Sequence, residues 1–185
     1  VPADALSPGD RSAHADALAE WRAAQAANAD RPDAHVNLGA LHARFGDRAA
    51  ARAEYETALR IGPWFVPAYL NLADLLREES RDDAAEPLLR RALEIAPDSA
   101  DAHHALGLLL VRRRDLPGAI DALARAAELA PADARYAYVY GVALDAAGET
   151  DRAIAYLEQF RALRPGDRSV AELLEQLRAP AEPQP

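Results

Sequence analysis

The 185 residues contain no cysteine. Disulfides, thiolate chemistry, cysteine-bound zinc and covalent haem attachment through C-x-x-C-H are therefore excluded from this chain. Lysine is missing too: the 21 basic residues besides histidine are all arginine, and 30 acidic residues set the formal charge at −9. Such a surface repels phosphate, which argues against nucleic acid or an anionic membrane as partner. No apolar run approaches the roughly 20 residues that span a bilayer, and Leu106 to Val111 falls far short. A soluble chain without membrane insertion is expected. No phosphate loop, nucleophile elbow or Cys/His nucleophile pair occurs, so the chain reads as non-catalytic and without a cofactor.

What is present is a register of 34 residues. Pro63, Pro97, Pro131 and Pro165 recur at that spacing, as do Ala51, Ala85, Ala119 and Ala153. Gly39, Ala73, Gly107 and Gly141 keep a further place small, where two helices must approach closely. In the third copy, residues 100–133, His103, Leu106, Gly107 and Leu110 are followed by Ala119, Leu123, Ala126 and Pro131. Apolar residues at i, i+3, i+4 and i+7 give each helix one packing stripe. Gly46 supplies a turn, with Asp47 and Asp115 as helix caps. Glu78-Glu79 and Asp82-Asp83 read as caps about another turn. Pro87 predicts a kink or a late helix start, and Phe160, standing where other copies have alanine, predicts different packing in the last repeat.

These places resemble the tetratricopeptide repeat, whose signature is W-x2-L-G-x2-Y, then A-x3-F, A and P. The resemblance implies an all-α fold, a right-handed superhelical solenoid of antiparallel helix pairs with a helix added at each end. The expected division is a linker at 1–10, a capping helix or half-repeat at 11–31 and repeats at 32–65, 66–99, 100–133 and 134–167. A capping helix at 168–179 and a disordered tail at 180–185 follow. The half-repeat carries Ala17, Trp21 and Ala24 at second-helix spacings, and the chain begins at Val1 and not with methionine. Excision from a longer protein and a purpose-built cap both account for this.

In this family the first helix of each repeat lines the concave face. Carried onto this chain, that face holds Asn37, Asn71, Asp74 and Arg77 in its first half. Its second half holds His104, Leu108, Val111, Arg112, Tyr138 and Val142, with Val139. The amides of Asn37 and Asn71 can donate and accept, and so grip an extended backbone. The apolar residues would form a strip of the kind that marks an interaction surface. The expected partner is a protein or peptide, or an upstream domain of the same chain, and self-association is a further reading. A carboxylate clamp for chaperone tails is not expected: Val36, Ala40, Asp101 and Ala105 depart from its pattern and only Asn71 matches.

Other candidates are weaker. His35 and His42 share a helix face and His14 is near in sequence, yet the first two occupy packing places, so interface histidines are expected and a metal site is not. Arg112 to Arg114 close a helix and read as a solvated end. Short segments, among them 28–35 and 134–144, also look like the C-terminal repeat segment of some bacterial multihaem c-type cytochrome proteins. That resemblance implies a periplasmic docking or assembly role, with any haem held outside this chain.

Overall fold

A computed structural model describes residues 19, 20, 23–25 and 27–179. The expected linker at 1–10, part of the segment at 11–31 and the tail at 180–185 lie outside these residues. Among the described residues the regular structure is helical throughout. Residues 19, 20 and 23–25 are helical. Then come α1 (Pro32–Arg44), α2 (Arg48–Ile61), α3 (Val66–Glu78), α4 (Asp82–Ile95), α5 (Ala100–Arg112), α6 (Leu116–Leu129), α7 (Ala134–Ala146), α8 (Thr150–Leu163) and α9 (Arg168–Arg178). Chain contacts group into two compact units, Val1–Leu75 and Leu76–Pro185, which divide within α3.

Within the first unit, α1 and α2 form a hairpin around the place kept small. A Cβ on Gly39 would run into the Tyr55 ring. The second unit repeats the contact twice: a Cβ on Gly107 would lie 2.5 Å from Leu123 Cγ, and one on Gly141 2.8 Å from Leu157 Cδ1. Leu123 and Leu157 are themselves fully buried, so each hairpin seats a large side chain against a bare backbone. Burying each such leucine is worth about 1.5–3 kcal/mol. The alanines of the second helices, Ala51, Ala119 and Ala153, have no exposed surface. Their small side chains let the paired helices close.

Each hairpin turn has one residue in the left-handed region, and these too are 34 apart: Gly46 (φ 81), Ser80 (φ 59), Arg114 (φ 63) and Gly148 (φ 80). The following N–H closes the turn in every case, Asp47 to His42 O, Arg81 to Leu76 O, Asp115 to Leu110 O and Glu149 to Leu144 O. This is the Schellman pattern, which satisfies carbonyls left over at a helix end. Side-chain caps then start several of the next helices. Ala50 N–H donates to Asp47 Oδ1 at 3.0 Å and Gly118 N–H to Asp115 Oδ1 at 3.1 Å. Asp167 caps α9 through Val170 N–H at 3.0 Å.

Three sequence expectations require adjustment. Of the two outcomes expected at Pro87, the late start does not occur, since α4 begins at Asp82 and runs through the proline; the missing N–H leaves one carbonyl of the first turn unserved by the helix. Asp82 and Asp83 are not caps: the cap position is Arg81, without a side-chain bond, and both acids turn to α5. Arg112 donates to Asp82 at 3.1 Å, while Arg113 pairs with Asp83 and Glu86. The arginines that close α5 are thus engaged, not simply solvated. Phe160, 2% exposed, packs with Val170, Leu173 and Leu174 of α9, so the larger side chain fills the space where the added helix meets the last repeat.

Two stability predictions follow from the hairpins. Arg114→Gly relieves a left-handed arginine at some entropic cost, for a net gain of about 0.5–1 kcal/mol, seen as a rise in Tm by scanning calorimetry. Gly107→Val drives a branched side chain into Leu123 and is expected to lose about 1–3 kcal/mol in urea unfolding, with helical circular dichroism retained.

Candidate functional site

The second unit presents one face on which apolar side chains meet solvent. On α5, Ala102, Leu106, Gly107, Leu109 and Leu110 turn inward, which leaves Leu108 half-buried and Val111 36% exposed. On α7, Tyr136, Ala137, Tyr140, Gly141 and Leu144 are buried, so Tyr138 and Val142, one turn apart, are left 37% and 40% exposed. Helix periodicity therefore places these residues outward because the inward stripe is already filled.

The same two helices, α5 and α7, are joined by a polar knot. The Tyr136 hydroxyl donates to Asp101 Oδ1 at 2.7 Å and accepts from Arg135 at 2.9 Å. Arg135 also reaches Asp101 at 3.2 Å, its guanidinium 4.6 Å from the Tyr136 ring centre. Burial, then the bond to the Asp101 carboxylate, pushes the Tyr136 phenol up to about 12, so it remains a donor throughout the neutral range.

The knot decides the fate of one expected site residue. His104 is 8% exposed, its ring 5.0 Å from that of Tyr136. The neighbouring helix covers it, so it lies under the apolar strip and not on it. Arg112 is held by Asp82. In the first unit Asn37 is exposed and donates to Gln25 Oε1 at 3.3 Å, while Asn71 donates to Pro67 O of its own helix at 2.8 Å. Each retains a second N–H and an amide oxygen. Asp74 is exposed, and Arg77 half-buried in the second unit.

His35 and His103 serve the fold. His35 Nε2 lies 3.0 Å from Ala29 O and Nδ1 2.6 Å from Glu54. His103 Nε2 reaches Pro97 O at 2.8 Å, and in the equivalent place the Tyr69 hydroxyl donates to Pro63 O at 2.9 Å. All three bonds run back six residues to the carbonyl that precedes a first helix. His14 lies outside the described residues, among which no group of three His, Cys, Asp or Glu side chains is arranged to hold a metal. No helix among them is long and apolar enough to cross a membrane.

One feature escaped the sequence reading. Second helices α6 and α8 flank an apolar cavity of about 290 Å³ whose walls include Ala124, Ala127, Pro131, Tyr156 and Leu163. Tyr156 meets Tyr140 edge to face at 4.8 Å, and burial followed by that neighbour pushes its phenol up to about 12. The signal was an aromatic at Tyr156 and a leucine at Leu163, seven residues apart and flanked by small residues on α6.

The chain matches a tetratricopeptide-repeat family model over residues 43–109. A second tetratricopeptide-repeat model matches residues 9–63 and 104–168, together more than half of the chain. No curated protein sequence matches. Among solved structures, the MamA protein is 25% identical, with 79% of this chain and 80% of that one covered at a TM-score of 0.66. The pilF protein of Pseudomonas aeruginosa is 24% identical over 79% of this chain and 67% of its own, at a TM-score of 0.70. YrrB, titled a TPR protein with an unusual peptide-binding site, is 20% identical over 85% of this chain and 90% of its own, at a TM-score of 0.63. With its 34-residue helix pairs and its match over more than half its length, the chain belongs to the tetratricopeptide-repeat family.

Proposed function

We propose that the chain is a non-catalytic scaffold that binds a protein segment through the solvent-facing side of its first helices, with the centre of the site on α5 and α7. The observation that carries this reading is the exposure of Val111, Tyr138 and Val142 on neighbouring first helices whose inward stripes are already filled. Apolar groups left in water where no structural task requires them favour a partner that covers them.

The chemistry of the site is apolar at the centre and charged at its edges. Leu108, Val111, Tyr138 and Val142 supply contact area, with Tyr138 the natural anchor because aromatics lose little rotamer freedom on burial. Arg112 and Arg135 stand at the borders, each already balanced by a carboxylate, so they orient a partner more than they attract it. In the first unit, Asn37 and Asn71 retain amide groups suited to an extended backbone, with Asp74 exposed on the helix of Asn71.

The test uses Val111→Asp/Val142→Asp. Both positions are exposed, so helical circular dichroism and Tm should stay near the parent values. A partner identified by pull-down with the parent is expected to bind this variant at least about tenfold more weakly by calorimetry, the loss of about 1.4 kcal/mol or more. Undiminished affinity in the folded variant sinks the reading.

A further inference from the structure

The cavity between α6 and α8 lies on second helices, away from the strip on α5 and α7, and its volume of about 290 Å³ admits only a compact ligand. That is just below the roughly 300–1,000 Å³ of pockets that bury a drug-sized molecule. Two rings shape its interior. Tyr140, 6% exposed, and the half-buried Tyr156 meet edge to face at 4.8 Å and form a corner of the wall. Neither ring belongs to the repeat pattern: the place of Tyr140 holds Leu38, Leu72 and Leu106 in the other copies, and that of Tyr156 holds Glu54, Leu88 and Ala122. Ala124 and Ala127 of α6 and Leu163 of α8 extend the apolar surface.

The surroundings favour positive charge. The lining reaches the last turn of both helices, with Glu128 on α6 and Phe160 and Leu163 on α8. Helix C-termini carry partial negative charge and attract a cation within about one turn. The last turn of α6 holds no basic residue to offset this, and Arg161 in that of α8 is not part of the wall. Arg125 donates to Glu128 at 3.3 Å and to Asp98 at 2.8 Å, so two carboxylates share one guanidinium and negative charge is left over at the rim. Arg152, one turn before Tyr156, donates to the Tyr140 hydroxyl at 3.0 Å and is balanced by Glu149 at 2.7 Å. The formal charge of −9 adds a long-range attraction for cations.

We infer that this cavity binds a small quaternary ammonium compound of the choline type. Aromatic rings attract a cation over their faces, and the methyl groups of such a cation suit walls of alanine, leucine and ring carbon. A bare ammonium fits less well. It brings three donors, each of which costs free energy when taken from water without an acceptor, and those apolar walls provide none. A quaternary nitrogen has no N–H to satisfy. Glu128, its side chain 66% exposed, balances the charge from the rim while keeping its own hydration, so the desolvation of a buried ion pair is avoided.

The experiment titrates the chain with choline chloride at constant ionic strength by two-dimensional NMR, followed at Ala124, Ala127, Tyr156 and Leu163. Saturable shifts centred on these residues are expected. The uncharged isostere 3,3-dimethylbutan-1-ol should bind at least about tenfold more weakly. Tyr156→Phe keeps the ring and should hold choline affinity within about twofold, whereas Tyr156→Leu should lose about tenfold or more. Glu128→Gln, at an exposed position, should lose about threefold. Circular dichroism checks the fold of each variant, and the isostere and Glu128→Gln decide the question on an unaltered core even if Tyr156→Leu does not fold. Equal affinity for choline and its isostere overturns the proposal, as does undiminished choline affinity in folded Tyr156→Leu or the lack of a saturable shift in the millimolar range. A trimethyllysine peptide that binds at least about tenfold more tightly than choline overturns the assignment to a small molecule and gives the site to a protein partner.

Discussion

Everything in this fold rests on how closely two helices of a hairpin can approach. At Gly39, Gly107 and Gly141 a Cβ would run into Tyr55, Leu123 and Leu157, which occupy that space. That contact sets the inward stripe of each first helix, and the stripe in turn sets what faces outward. Val111, Tyr138 and Val142 are exposed because the other side of their helices is committed, and the proposed binding face is thus a by-product of packing as much as a feature added to it.

The polar bonds divide their work along similar lines. Left-handed turns and aspartate caps shape each hairpin internally, at separations of three to five residues. Bonds from His35, Tyr69 and His103 reach back six residues and hold the entry to a first helix. In the last repeat Ala137 stands in that place, and contacts with α9 take over. Longer connections are ionic: Arg112 and Arg113 to the start of α4, and Arg135 with Tyr136 to Asp101. Among the described residues, Arg112, Arg113, Arg125, Arg135 and Arg178 reach carboxylates on a neighbouring element, while Arg90, Arg91 and Arg152 pair within one helix or turn, as suits a planar side chain that can serve more than one carboxylate.

The repeat register, the close-approach places and the caps at Asp47 and Asp115 were legible because each depends on neighbours at a fixed, short spacing. Side chains whose surroundings come from the next repeat were not. His104 reads as outward on its own helix and is buried, with the Tyr136 ring of the next repeat 5.0 Å away. Asp82 reads as a cap, yet its partner is Arg112, 30 residues on. Ser80 and Arg114 adopt positive φ without the glycine that marks Gly46 and Gly148, so the residue type carried no sign of it. The cavity between α6 and α8 arises from two helices in different repeats, and a stripe read one helix at a time does not show it.

The six-residue reach of His35, Tyr69 and His103 also bears on how the chain assembles. A bond that returns to the carbonyl just ahead of its own helix closes a very small loop, and the turn bonds close smaller ones. Contact order for these steps is low, so their formation does not wait for distant parts of the chain to meet. A nascent chain can settle these three helix entrances soon after each helix has been synthesised, with the packing of the next repeat completing what local bonds have begun.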